Sequence, residues 1–366
     1  MQETINRIDE LNKSAFILRT SKIREAIRLS TEATELARKS GYKKGLAESL
    51  RNLGLFNTKL SENIDLAFVQ TKEALEIFRE IGDRLGEANS LYNLAISYIN
   101  VGDYHKALEN QVACLMMRQQ LKDKQGEAES LNNIGYIYGK FGDHEKALEF
   151  QFKGLEIRRD MNDIMGQGNS LLNISTIYHG LKKYDEALKF VSESIVAKKE
   201  VKDKHGVAVC LNRLGTIYHD LGEYEKGLSC FFEGKITMQE VEDTWGLSKF
   251  TFDIAQIYTK KKEYEKSLEC LNEALALAQQ AKSKELIYDT YKAMSELYEA
   301  SGNPEKALEY YRLYHTFREE TWKTDANKML EDMRAMHKAQ NAEKEAEIHR
   351  LRNVELAEAL KQINDS

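Results

Sequence analysis

The chain has 366 residues, a net charge of −6, a single proline, and 42% hydrophobic against 31% charged residues. That composition excludes a turn-rich β fold in favour of long amphipathic helices. It gives no general attraction for polyanions, which argues against a nucleic-acid binder, and no apolar run approaches the ~18 residues of a membrane span. The first residues, MQETINRIDE, lack the charged-then-apolar pattern of a secretory signal, so a cytoplasmic protein is expected. Cys114, Cys210, Cys230 and Cys270 lie far apart with no CxxC or Cys/His pairing, and read as reduced packing residues; no metal and no cofactor are expected.

Residues 1–44 form a degenerate helix pair, with Ala26-Ile27 where later pairs carry Ala-Leu. From 45 to 320 the sequence repeats itself. A forty-residue shift superimposes Leu91-Tyr-Asn-Leu-Ala-Ile-Ser-Tyr98 on Leu131-Asn-Asn-Ile-Gly-Tyr-Ile-Tyr138, on Leu171-Leu-Asn-Ile-Ser-Thr-Ile-Tyr178 and on Leu211-Asn-Arg-Leu-Gly-Thr-Ile-Tyr218. The period continues more weakly through Ile254–Tyr258 and Met294–Tyr298, and backwards, with a one-residue slip, to Leu50–Gly54. About ten residues after each tyrosine a second helix is marked by Ala107-Leu108, Ala147-Leu148, Ala187-Leu188, Gly227-Leu228, Ser267-Leu268 and Ala307-Leu308.

The turns carry their own signals. Within a pair, Gly102-Asp103, Gly142-Asp143, Gly222-Glu223 and Gly302-Asn303-Pro304 place a permissive C′ residue before a capping residue, and Pro304 suits a first helical turn. Between pairs, Asp83, Asp123, Asp163, Asp203 and Asp243 recur with Gly three residues on. Asp is expected as N-cap and Gly as a point of close backbone approach. Gly54, Ala95, Gly135, Ser175, Gly215, Ala255 and Ser295 keep one spot small where the partner helix approaches, and the tyrosine one turn later packs beside it.

These residues resemble the tetratricopeptide pattern, and the Asp-x-x-Gly variant is similar to that of Pins-type scaffolds and bacterial tetratricopeptide sensor proteins. The departures are the forty-residue unit and the missing inter-repeat proline, for which longer helices are the simplest reason. The resemblance implies an all-α, right-handed superhelix of about seven helix-turn-helix repeats after the degenerate pair, with a concave groove that holds peptides. In it, residues spaced by four, three and four on each first helix line the groove. They read Asn89, Asn93, Ile96, Asn100; Glu129, Asn133, Tyr136, Lys140; Asn169, Asn173, Thr176, Gly180; Val209, Arg213, Thr216, Asp220; Lys249, Asp253, Gln256, Lys260.

One position of this stripe, Asn52, Asn93, Asn133, Asn173, Arg213 and Asp253, forms a polar ladder. An amide both donates and accepts, so it can grip an extended peptide backbone whatever its sequence, and arginine can take a carboxylate bidentately. With Glu129, Asn169 and Val209 in the row where the family's carboxylate clamp carries lysine, an internal peptide segment or helix is favoured over a chaperone tail. The alternative role of the asparagines is packing between helices. His179 and His219, forty residues apart, lack a third ligand and read as groove-edge polar residues.

From 321 to 366 a helical arm is expected, free of Gly and Pro from Asp325 onward. Its apolar residues are spaced loosely like heptads, which suits either a coiled coil joining two copies or one helix capping the last repeat. Residues 347–360 resemble the linker that joins tetratricopeptide arrays to output domains in bacterial sensors. No phosphate loop, nucleophile elbow or clustered acid/base pair is present in the sequence. The expected function is non-enzymatic: a regulatory module holding a protein or peptide ligand in the groove, without nucleic acid or membrane. The alternatives are a static scaffold and a receptor for a short signalling peptide.

Overall fold

A computed structural model describes residues 2–19, 22–60, 64–321 and 323, which form two compact units, one ending at Leu121 and the other spanning Lys122–Lys323. The arm, with its coiled-coil, capping and linker readings, lies outside the described residues apart from 321 and 323.

The first unit holds three helix pairs: α1 (Gln2–Leu18) with α2 (Ile23–Ser40), α3 (Lys43–Leu60) with α4 (Ile64–Glu80), and α5 (Arg84–Asn100) with α6 (Tyr104–Gln120). The second holds five: α7 (Lys124–Lys140) with α8 (His144–Asp160), α9 (Ile164–Gly180) with α10 (Tyr184–Glu200), α11 (Lys204–Asp220) with α12 (Tyr224–Glu240), α13 (Thr244–Lys260) with α14 (Tyr264–Gln280), and α15 (Lys284–Ala300) with α16, residues 304–321. The fold class is all-α, and no strand occurs among the described residues. From α5 to α15 every helix has 17 residues, with three-residue turns between them. Two such helices and two turns make the forty-residue period, so the long repeat comes from long helices. No described helix is long and apolar enough to cross a membrane.

Each pair closes where the sequence keeps its side chains small. A Cβ on Gly135 would lie 3.0 Å from the carbonyl oxygen of Ala147 on the partner helix. In the next pair the Ser175 hydroxyl donates to the carbonyl of Ala187 at 2.8 Å, and Ser295 does the same to Ala307. The repeat tyrosines are packing residues: Tyr138 stacks on Phe150 and Tyr178 on Phe190, each at 5.4 Å, and Lys146 covers the Tyr138 ring.

The inter-pair Asp and Gly share one job. Asp83, Asp123, Asp163, Asp203 and Asp243 each accept the backbone N–H of the glycine three residues on, at 2.8–3.0 Å. A Cβ at Gly86 would sit 2.2 Å from the Phe78 ring, and one at Gly246 2.3 Å from Met238 Sδ, so glycine admits the last turn of the preceding helix. The left-handed turn residue is not always glycine. Lys182 (φ 57°) and Lys262 (φ 62°) take it within pairs, and Asn162, Lys202, Glu242 and Lys282 take it between pairs. Cys114, Cys210 and Cys230 are buried free thiols, and burial pushes the Cys230 thiol up to about 11.

Candidate functional site

The ladder residues divide by how their polar atoms are engaged. In the first unit the amides hold neighbouring helices. Asn52 is buried; its Nδ2 donates to the carbonyl of Asn12 at 3.3 Å and its Oδ1 accepts from Arg51 at 3.2 Å. Asn93 donates to the carbonyl of Arg51 at 3.2 Å, and Asn100 to that of Thr58 at 3.1 Å. These groups satisfy backbone acceptors that the fold itself presents.

In the second unit the pattern breaks. Asn133 Nδ2 is buried without a partner. The Asn173 side chain makes no hydrogen bond among the described residues, and the carbonyl equivalent to the one Asn93 uses, that of Asn132, accepts instead from Gln151 Nε2 at 2.9 Å. Arg213 Nε is also buried and unpartnered, while Nη1 lies 3.4 Å from His179 Nδ1. A guanidinium only donates, so His179 Nδ1 accepts here and its Nε2–H donates to Asp220 Oδ2 at 2.8 Å. His219 reaches the other oxygen of Asp220 at 3.0 Å. Burial pushes the Asp220 carboxyl up, and the two histidine hydrogen bonds outweigh it, leaving its pKa below the ordinary value.

Arg213 has no carboxylate within salt-bridge distance among the described residues. Burial works against its charge and lowers its pKa. Asp253, at the next ladder position, is buried and engaged by Asn212 at 2.6 Å and by Lys249. Its pKa is raised, chiefly by burial.

Around Arg213 lies an open pocket of about 470 Å³. Tyr136, Lys140, Asn173, Thr176 and Arg213, all read from the stripe, line it. Tyr136 is half-exposed, with Lys140 Nζ 5.2 Å from its ring centre. Thr176 donates its hydroxyl to Leu172 O, and Thr216, outside the lining, donates to Asn212 O at 2.8 Å. Two cations and a histidine, His144, meet the pocket, and no aspartate or glutamate does, although the chain as a whole is acidic. The ladder thus places Asn173 and Arg213 together at the pocket, which Asn133 does not line, while Asn52, Asn93 and Asp253, like Asn100 of the same stripe, are engaged elsewhere.

The stripe also named Gly180 and Val209, which line the pocket, but it did not reveal Gly139, His144, Gln151, Leu172 or Asn212. A signal existed for three of them. Gln151 is polar where the next repeats carry Val191, Phe231 and Leu271, and His144 replaces a residue that is Tyr104, Tyr184, Tyr224 or Tyr264 elsewhere. Gly139 stands where His179 and His219 stand.

Comparison with known proteins gives a concordant picture. The family model described as tetratricopeptide repeat matches residues 86–160, 167–231 and 249–320, more than half of the chain, and that described as anaphase-promoting complex subunit 5 matches residues 4–60. No curated protein matches significantly. Among solved structures, aspartyl phosphate phosphatase F from Bacillus subtilis is similar at 15% identity and a TM-score of 0.61, over 79% of this chain and 75% of that one. A Rap protein complexed with Competence and Sporulation Factor is similar at 16% identity and a TM-score of 0.58, over 87% and 99%. The apo quorum sensor NprR from B. thuringiensis has 16% identity and a TM-score of 0.52, over the same shares. At these identities the likeness concerns the fold alone.

Proposed function

The chain belongs to the tetratricopeptide repeat family, and from that premise we propose that it is a non-enzymatic regulatory module whose second unit holds a peptide or an extended segment of a partner protein against α7, α9 and α11. The observation that carries this reading is the pocket at Asn173 and Arg213, where an amide without a protein partner and a guanidinium that has no carboxylate partner and whose Nε is buried and unpartnered stand beside Tyr136 and Lys140. Asn173 grips ligand backbone, and Arg213 takes a carboxylate of the ligand, which relieves an otherwise uncompensated buried charge. A signalling role is supported by two structures of like fold, a Rap protein complexed with Competence and Sporulation Factor and the quorum sensor NprR.

Panning a random peptide library displayed on phage against the full chain tests the reading. Peptides enriched on the native protein are expected to lose binding to an Asn173→Ala, Arg213→Ala variant that keeps native helicity by circular dichroism. Enrichment that is equal on both proteins contradicts it and favours a static scaffold working through another surface.

A further inference from the structure

We infer that Gly139, His144 and Gly180 form a subsite for one large apolar side chain of the bound peptide, placed so that an adjacent carboxylate of the same peptide reaches Arg213. This rests on the groove reading above and adds the ligand's chemistry to it.

The argument begins with two glycines that the fold does not require. Gly139 and Gly180 lie in the last turns of α7 and α9, and neither has a positive φ. A Cβ on Gly180 would meet nothing within 4 Å, and one on Gly139 would only touch the Ala147 methyl at 4.0 Å. Gly135, one turn earlier, is different, because its Cβ would press on Gln151 and on the carbonyl of Ala147. Packing therefore explains Gly135 and leaves Gly139 and Gly180 without a reason in the protein alone, although glycine in a helix is less favourable than alanine.

The next two pairs show what can fill this place. At the positions equivalent to Gly139 and His144 the next two pairs carry His179 with Tyr184 and His219 with Tyr224, with ring centres 5.9 and 6.0 Å apart. In the α7/α8 pair both members are smaller, histidine to glycine and tyrosine to histidine. The space this leaves belongs to the 470 Å³ pocket, whose wall includes Leu172, Ile177 and Val209.

Two further observations point to a ligand there. Gln151, only 1% exposed, lines the pocket with Oε1 unpartnered, and His144 Nδ1 is likewise buried and unpartnered. These polar atoms suit the backbone of an entering peptide better than a dry void. The cations Lys140 and Arg213, with no acid in the lining, select an acidic neighbour for the apolar side chain.

The test fills the subsite from the protein's side, with residues its own repeats use. In a Gly139→His, His144→Tyr variant and separately in Gly180→Ala, the peptide most enriched by phage display on the native chain, fluorescein-labelled, is titrated by anisotropy. Its affinity is expected to fall at least tenfold in both, while the melting temperature of Gly180→Ala stays or rises by about 1–2 °C. The enriched peptides are expected to share a large apolar residue beside Asp, Glu or the C-terminal carboxylate. Unchanged affinity in both filled variants, or enriched peptides without an apolar residue, overturns the subsite while leaving the groove reading intact. Failure to enrich any peptide that depends on Arg213 overturns both.

Discussion

The same ladder position does opposite work in the two units. In the first, Asn52 and Asn93 donate to backbone carbonyls of the preceding helix pair, so their amides are part of how the pairs adhere. In the second, Asn173 stands at a pocket without such a partner, and the matching carbonyl, that of Asn132, is engaged by Gln151 from the second helix of its own pair; Arg213 lines the same pocket. On the proposed reading, a repeat protein converts a structural contact into a binding position by changing a residue on the other helix of the repeat. The ladder residue itself stays the same, as Asn93 and Asn173 show.

The comparison is broken most directly at Arg213. Arg213→Ala should weaken the enriched peptide about 10- to 100-fold, the weight of one or two hydrogen bonds to a charged group, with little loss of stability because a buried unpaired charge is removed. Anisotropy titration and a melting curve on the same sample check both halves. At Asn52 the expectation reverses: Asn52→Ala removes a donor from Asn12 O and an acceptor from Arg51, and should cost about 1–3 kcal/mol in urea unfolding while leaving peptide affinity unchanged. Gln151→Val should sharpen the contrast by a smaller amount. Freeing the Asn132 carbonyl lets Asn173 bond to it as Asn93 does to Arg51, and peptide affinity should drop several-fold with no loss of helicity.

Much of this architecture was legible from sequence because it repeats. Small residues at 135, 175 and 295, tyrosines at 138 and 178 and caps at Asp163 and Asp203 each have one geometric job, and the same job recurs every forty residues. The ladder's position was legible for the same reason. Its division was not, because whether an amide faces a carbonyl or a pocket depends on Gln151, on the other helix of the pair. The pocket's floor lies in departures from the repeat, at Gly139 and His144, which a search for what repeats passes over. The left-handed Lys182 and Lys202 show the same limit: the turn geometry is imposed by the three-residue connection, and lysine accepts it.

The smallest effect concerns pH. Burial raises the Asp253 pKa, so between the unfolded value of ~3.9 and its higher folded value the native state binds more protons than the unfolded one, and stability falls as pH rises through that window. Asp103 in the first unit has the opposite sign. The backbone N–H of Lys106 lowers its pKa, so its contribution is present above the unfolded value and lost as pH falls through the folded one. In urea titrations at several pH values Asp253→Asn should remove the first slope and leave the second.

The most direct test of the divided ladder sets Asn93→Ala beside Asn173→Ala and measures the affinity of the enriched peptide for each. The account predicts native affinity in Asn93→Ala and a clear loss in Asn173→Ala. Loss of affinity in both variants, or in Asn93→Ala alone, would contradict it.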